Sequence, residues 1–92
     1  MLPTLPEGWE ARLIAVALPP EVTAWFLDPN DAAISKYVRS EPRDREWIRA
    51  GLQAGILSMP KIEYRLRATV METDERERTR QGIKEDRDIV SG

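Results

Sequence analysis

Two short runs of apolar residues lie in the first third of the chain, at residues 12–18 (RLIAVAL) and 22–28 (VTAWFLD). Their β-branched, aliphatic and aromatic side chains fit the surface of a sheet, so each run predicts a β-strand. Pro19 and Pro20 lie between the runs, where proline cannot donate to a strand ladder and favours a turn. The pattern therefore predicts a β-hairpin.

The spacing of apolar residues becomes helical after the second run. Asp28 can accept hydrogen bonds from exposed amides, and Pro29 suits a first helical position, so a helix is expected from here to about Arg39. Ser40 is expected to cap a second helix and Ser58 a third, each with a proline in its first turn. The sequence thus predicts three helices, and we expect them to cover one face of the hairpin.

Two glycines interrupt the second predicted helix four residues apart, at Gly51 and Gly55. One interpretation is that the missing side chains let another backbone approach closely. The other is that glycine simply weakens the end of this helix. The spacing favours the second interpretation without excluding the first.

The last part of the chain is charged almost throughout. Its large apolar side chains, Ile83 among them, are too sparse to hold this segment in a core. We interpret residues 71–92 as a charged tail, either helical or disordered until it meets a partner, and residues 1–70 as a small domain. The predicted fold class is α+β: a short β-hairpin followed by three α-helices and a charged C-terminal tail.

The composition removes several kinds of chemistry. The 92 residues include 14 basic and 16 acidic side chains, and the formal net charge of −2 offers no global attraction for nucleic acid or an anionic membrane. With no cysteine and no histidine, the chain lacks disulfides, thiolates, the commonest zinc ligands and the usual neutral-pH general base. We predict no catalytic residue, no metal ligand and, since the N-terminal apolar run is too short to span a membrane, a cytoplasmic location. The three tryptophans are expected to form part of the core: Trp9, Trp25 and Trp47.

Charges of both signs concentrate in the stretch SKYVRSEPRDREW, residues 35–47. In one interpretation, the ammonium of Lys36 is aimed at phosphate and Asp44 fixes its direction or that of a neighbouring arginine. In the other, the two residues form an ion pair that ties two helices together beside a tight turn, and spacing alone favours this one. The remaining arginines are most simply a solvated surface: Arg39, Arg45 and Arg49 in and after this stretch, and Arg76, Arg78 and Arg80 in the tail.

Three segments carry a resemblance to a known family: residues 8–13 (GWEARL), 22–38 (VTAWFLDPNDAAISKYV) and 42–57 (PRDREWIRAGLQAGIL). They resemble the C-terminal part of a bacterial nucleotidyltransferase-like family that is grouped with abortive-infection and toxin–antitoxin enzymes. The similarity extends over about residues 6–70. It implies a chain that lacks the catalytic N-terminal half, in which the family's metal-binding carboxylates lie.

The resemblance also singles out residues for a site. It implies that Lys36, Arg43 and Asp44 bind the phosphates of a nucleotide, with Asp31 and Ser35 of the preceding helix in support. It implies no cofactor, and magnesium only if a partner completes the site.

The function implied is that of a non-catalytic domain that acts by association. It would complete a split enzyme, or belong to a toxin–antitoxin or phage-defence complex. One alternative is a small homodimeric interaction module without a nucleotide ligand. Another is a stand-alone magnesium-dependent nucleotide-binding enzyme whose carboxylates are Asp28, Asp31 and Asp44. Because a lone hairpin is marginal in water, we expect a protein partner or a second copy at an exposed strand edge, and no membrane.

Overall fold

The computed structural model describes residues 4–91, with side chains described as far as residue 89. After a 3₁₀ turn at Trp9–Arg12, the elements follow in this order: β1 (Ile14–Leu18), β2 (Val22–Phe26), α1 (Pro29–Arg39), α2 (Pro42–Gln53), α3 (Met59–Leu66) and α4 (Thr73–Ser91). The predicted α+β fold, a hairpin followed by helices, is confirmed. Within residues 4–91, none of the helices is both long and apolar enough to cross a lipid bilayer.

The hairpin is antiparallel, and its register pairs Ile14 with Phe26 and Leu18 with Val22. Every residue of β1 is exposed, and β2 is exposed apart from the half-buried Ala24. The expectation that the helices cover one face of the hairpin is therefore wrong. The helices pack on one another instead, and the hairpin stands beside them.

Helix α1 begins as its sequence predicts. Asp28 accepts a hydrogen bond from the backbone N–H of Asn30 at 2.9 Å, and Pro29 occupies the first helical position. The helix ends at Arg39 because Ser40 adopts a left-handed conformation (φ 55°), in which its N–H donates to the carbonyl of Lys36 at 2.8 Å.

The prediction that Ser40 caps α2 is wrong. Its hydroxyl donates to the carbonyl of Tyr37, so it serves the end of α1. Glu41 is the N-cap of α2, and Asp44 accepts from its backbone N–H at 3.2 Å. Ser58 does cap α3, since its hydroxyl accepts from the N–H of Lys61.

The core is built around α1, which contacts α2, α3 and α4. Its largest members come from all four helices and from the loop after α2: Ile34, Tyr37, Ile48, Leu52, Leu57, Ile62, Leu66 and Ile83. The tryptophans were expected here, but Trp25 and Trp47 are exposed and Trp9 is half-buried. Isoleucine and leucine side chains of the neighbouring helices pack against α1 instead.

The charged segment at the end of the chain forms the long helix α4, which packs against α1. The expectation that Ile83 is too sparse to join a core is wrong, since it is buried in the common cluster. Thr79, Gly82 and Asp86 are buried beside it. These four residues follow helical spacing and form one buried stripe along a charged helix. Three of them carry no charge, and the charge of the fourth, Asp86, is paired. A domain boundary at residue 70 stays a prediction.

The two glycines expected within the second helix have different roles, and only Gly51 lies in α2, which ends at Gln53. A side chain at Gly51 would place its Cβ 2.7 Å from Cδ1 of Leu57, so the close neighbour is a side chain of the following loop. Gly55 has a φ of +75°, a backbone conformation that favours glycine. Gly51 therefore permits packing, and Gly55 permits the turn after the helix.

Candidate functional site

The predicted phosphate site lies at the corner between α1 and α2. The left-handed Ser40 turns the chain sharply, so the last turn of α1 faces the first turn of α2. Arg39 donates both Nε and Nη2 to the carboxylate of Asp44, at 2.8 and 2.5 Å. Lys36 approaches the same carboxylate at 3.8 Å. Two cations of α1 therefore hold one buried carboxylate of α2.

The charge state of this corner follows from its hydrogen bonds. The hydrogen bonds from Arg39 lower the pKa of Asp44 to about 2. Burial opposes this shift, while the N–H of Glu41 and the charge of Lys36 contribute to it. Asp44 is therefore a carboxylate at any ordinary pH. It offsets the two cations and fixes the direction of the arginine.

Lys36 is the residue of this corner whose ammonium N–H donors remain available. Its ammonium lies 4.8 Å from the ring centroid of Trp47, a cation–π distance. The 3.8 Å separation from Asp44 exceeds a hydrogen bond, so the carboxylate attracts the ammonium without taking up its donors. This geometry leaves the ammonium able to bind a further acceptor while held in place from two sides.

Arg43 does not join this corner. Its side chain is 82% exposed, and its Nε lies 3.7 Å from Glu41 in a solvated contact. The structure thus brings Lys36 and Asp44 together but leaves Arg43 apart. Arg39, which the sequence predicted to be a solvated surface residue, is the arginine that completes the corner. The signal that could have found it is its position five residues before Asp44, across a tight turn.

Asp31 belongs to a second cluster, near the start of α1. Its carboxylate accepts from Nε and Nη2 of Arg12 at 2.8 and 2.9 Å and lies 3.4 Å from Arg65. Arg65 also binds Asp28 at 2.6 Å. Ser35, half-buried on the same helix, lies one residue before Lys36. The supporting residue Asp31 is therefore engaged by its own arginines.

The carboxylates of the stand-alone enzyme alternative do not converge. Asp28 and Asp31 share Arg65 at the N-terminal end of α1, whereas Asp44 lies beyond the C-terminal end. The nine helical residues from Asp31 to Arg39 span roughly 13 Å. Among residues 4–91, no group of three carboxylate, histidine or cysteine side chains is arranged to hold a metal ion.

A third cluster surrounds Asp86 of α4 and was missed by the sequence. Its carboxylate is fully buried and accepts from Tyr37 Oη at 2.6 Å, Arg49 Nε at 2.9 Å and Arg45 Nη2 at 3.1 Å. The prediction that Arg45 and Arg49 form a solvated surface is wrong, because α4 brings this carboxylate onto them. The helical spacing of Thr79, Ile83 and Asp86 within a charged segment was the available signal.

The same contacts set the ionisation of this cluster. Burial alone would raise the pKa of Asp86, but hydrogen bonds from Tyr37, Arg49 and Arg45 hold it below the ordinary value. Burial and the bond to Asp86 raise the pKa of Tyr37 well above its ordinary value. The phenol therefore stays a donor and the carboxylate stays charged.

Comparison with known protein families decides the identity at the level of family. Residues 1–88 match the family described as "Nucleotidyltransferase of unknown function (DUF6036)". The chain belongs to this family. Comparisons with curated proteins and with solved structures return no match.

Membership in DUF6036 confirms the nucleotidyltransferase-like resemblance and extends it beyond the predicted residues 6–70, through most of α4. The narrower statements, namely a C-terminal part, a bacterial source and a toxin–antitoxin link, stay predictions. The family description assigns no residue, so the roles of Lys36, Arg43 and Asp44 also stay predictions. What the geometry adds is that Lys36 is held between Asp44 and Trp47, whereas Arg43 is exposed to solvent.

Proposed function

We propose that this DUF6036 chain is a nucleotidyltransferase-like domain that acts by association, with the β-hairpin as its docking element, and carries no catalytic centre of its own. The observation that supports this most strongly is the exposed apolar face of the hairpin. The partner we propose is the catalytic subunit of a split nucleotidyltransferase, of the kind used in toxin–antitoxin or phage-defence complexes.

One face of the hairpin is apolar from end to end. Its large side chains are between 38% and 53% exposed: Ile14, Val16, Leu18, Val22 and Phe26. Trp25, on the opposite face, is 64% exposed. Glu21, in the turn, is the only charged residue from 13 to 27. A contiguous apolar patch of this kind marks an interaction surface, because leaving it in water is costly.

The edges of the hairpin support the same proposal. Within residues 4–91 the sheet has two strands, so β1 and β2 each present an outer edge. Such an edge can accept a further strand by backbone hydrogen bonds. A partner that supplies both a sheet edge and an apolar sheet face would therefore satisfy the hairpin, and a nucleotidyltransferase sheet has both.

The charged clusters favour association over independent catalysis. Each fully buried aspartate forms ion pairs with at least two cationic side chains of this chain: Asp31, Asp44 and Asp86. Their carboxylates are thus engaged in holding helices together. In the complex, the partner would supply the metal-binding carboxylates and magnesium, and Lys36 would contribute an ammonium to the nucleotide phosphates, with Arg43 at the rim. A cytoplasmic setting fits such a complex and a chain without cysteine.

The experiment is reconstitution with the product of an adjacent reading frame that carries a Gly-Ser turn and paired aspartates. We expect the two proteins to co-purify at equal stoichiometry and to transfer labelled nucleotide with magnesium, which neither does alone. Val16→Lys should abolish co-purification, because it buries an unpaired charge in the interface. Lys36→Ala should leave the complex intact and lower transfer, whereas Lys61→Ala, a matched exposed lysine of α3, should change neither. Nucleotide transfer by this chain alone, abolished by Lys36→Ala, would contradict the proposal.

A second candidate function, a homodimeric interaction module, is favoured by one observation. The apolar face carries no charge, so two copies can meet there without like-charge repulsion, and a two-fold axis pairs identical edges. Sedimentation of the purified chain distinguishes it. A dimer that Val16→Lys converts to a monomer would support this candidate, and a monomer at all concentrations would remove it.

A further inference from the structure

A basic groove lies between α3 and α4, and none of the sites above uses its charged residues. Its cavity has a volume of about 350 Å³, and five cationic side chains line it: Arg67, Arg76, Arg80, Lys84 and Arg87. Glu63 is the one acidic residue in the lining. Leu66 and Ile83 also line the cavity, but both are almost wholly buried. The surface that a ligand would meet is therefore made by the charged side chains.

Two of the five cations are engaged within the chain. Arg76 was expected on a solvated surface, but it is half-buried and donates to the carbonyls of Leu66 and Thr69 at 3.2 and 2.5 Å. Arg87 pairs with Glu63 at 2.7 Å. These contacts join α4 to α3 at both ends of the groove, so the groove is held open as a fixed shape.

The other three cations have no partner of this kind: Arg67, Arg80 and Lys84. They are exposed, and within the described part of the chain they form no ion pair. The arginines around the buried aspartates, by contrast, are paired with carboxylates of the same chain. The donors of the three free cations are available to an anionic ligand.

Acidic residues of α4 border the free cations. Asp88 follows Lys84 by four residues and Glu77 precedes it by seven, so both acids lie on the helix face that carries Lys84. Glu77 also precedes Arg80 by three residues, a spacing that makes neighbours on a helix surface. With these two acids included, the groove and its border hold five cations and three carboxylates. The site is net positive but mixed in sign.

This mixture of signs discriminates between classes of anionic macromolecule. A nucleic-acid strand presents only negative phosphates along its backbone, and Glu77 and Asp88 would repel them. The lining also contains no aromatic side chain on which a base could stack. A polypeptide segment carries carboxylates for the free cations and, in its backbone, N–H donors for the bordering acids. The groove therefore suits an acidic polypeptide better than a nucleic acid.

We propose that this groove docks an acidic segment of a protein partner. Carboxylates of the segment pair with the three free cations, whose donors suit carboxylate oxygens. The cations from Arg76 to Arg87 extend over about 16 Å of α4, a length that about five residues of extended chain cover. Because the ion pairs are exposed, we expect binding that weakens as salt is added. The groove shares no residue with the hairpin or with the corner at Lys36.

The test is fluorescence anisotropy of the full chain with three labelled probes, each of about eight residues or nucleotides. They are a glutamate-rich peptide, the same peptide with glutamine in place of glutamate, and a single-stranded RNA. We expect saturable binding of the glutamate peptide, no binding of the glutamine peptide, and weaker binding of the RNA.

Variants locate the binding in the groove. Arg67→Gln, Arg80→Gln removes two charge-assisted donors and should weaken binding of the glutamate peptide by about fivefold or more. The matched control is Lys61→Gln, Arg78→Gln, which makes the same change of net charge outside the groove and should stay within about twofold. Circular dichroism of each variant verifies that the helices are retained.

A second double variant tests the bordering acids. Glu77→Gln, Asp88→Asn removes the repulsion of phosphates and should strengthen RNA binding more than peptide binding. Equal gains for the two probes would overturn the role given to these acids.

The remaining outcomes overturn the proposal. Failure of the glutamate peptide to bind, or equal losses in the groove variant and the control, removes the site. Tighter binding of the RNA than of the peptide, lost in the variant of Arg67 and Arg80, makes the groove a nucleic-acid surface and removes the protein partner.

Discussion

The hairpin and the helical body reverse the usual distribution of side chains between surface and interior. The hairpin exposes an apolar face, whereas the helices bury the carboxylates of Asp31, Asp44 and Asp86 almost completely. Each buried carboxylate is bound by cations from other elements, so the ion clusters connect the helices as the core does. The hairpin has no comparable connection along its strands. The helices therefore satisfy one another, whereas the apolar face of the hairpin has no cover within residues 4–91, which supports the docking role proposed above.

The connection between the two regions is at the base of the hairpin. Arg12, just before β1, binds Asp31 of α1 through two hydrogen bonds. The backbone N–H of Glu7 also donates to the carbonyl of Ala68 at 2.8 Å. The hairpin therefore extends as an arm from an anchored base. This arrangement predicts that changes in the body alter stability and that changes in the arm do not.

The largest effect is expected in the cluster around Asp86. The substitution Asp86→Asn leaves Arg45 and Arg49 without their carboxylate in a partly buried site, and should lower the free energy of unfolding by about 3 kcal/mol. Urea denaturation followed by circular dichroism measures it. Asp88→Asn, two residues later on the exposed side of α4, is the control and should stay within about 0.5 kcal/mol. Equal small effects would mean that the buried cluster does not hold α4 in place.

A smaller loss is expected at Gly51 in the body. Alanine is the better helix former, but its Cβ would lie 2.7 Å from Leu57, which is buried. We expect Gly51→Ala to destabilise the protein by about 1 kcal/mol or more, since crowding outweighs helix propensity. The same substitution in a Leu57→Ala background should lose this penalty and stabilise slightly relative to Leu57→Ala alone. A penalty that persists in this background would point to a cause other than Leu57.

Low pH should lower the stability of the helical body through protonation of Asp44. Its folded pKa of about 2 lies below the value of about 4 in an unfolded chain. Its contribution to the free energy of unfolding is therefore fully present above about pH 4. The contribution is lost as the pH falls from about 4 to about 2, because the unfolded state then binds the proton first. Asp28 and Asp86, whose pKa values are also lowered, act in the same direction. Urea midpoints measured from neutral to acid pH should fall over this window.

The control for this pH dependence is Asp44→Asn. The variant should be less stable at neutral pH and should lose less stability than the wild type as the pH falls. A variant with the same acid dependence as the wild type would show that the bond from Arg39 to Asp44 does not contribute.

The smallest effect on stability is expected in the hairpin. Val16→Lys places a charge on an exposed position of β1 that does not belong to the core, and should change the free energy of unfolding by no more than about 0.5 kcal/mol. This result would sharpen the comparison, because the same substitution is expected to abolish partner binding. A loss as large as that of Asp86→Asn would show that the hairpin is part of the body.

Local features of the fold were predictable, and contacts between distant residues were not. Asp28, Ser58 and the prolines beside them mark helix starts within a few residues, and the structure has helices there. The pairing of Lys36 with Asp44 was also foreseen as one of two interpretations, since both flank one turn. Arg39 and Asp86 were missed. The partners of Asp86 on α2 lie 37 and 41 residues away, a separation at which spacing carries no information.

The sequence by itself determined the hairpin, the helix starts and the absence of cysteine and histidine chemistry, because these depend on residue types and on neighbours along the chain. Packing alone decided that α4 joins the core, that the arginines of α2 meet Asp86, and that the apolar face of the hairpin stays exposed. The physical reason is the same in each case. Helical phase and the approach of elements distant in sequence determine which side chains share a dry environment.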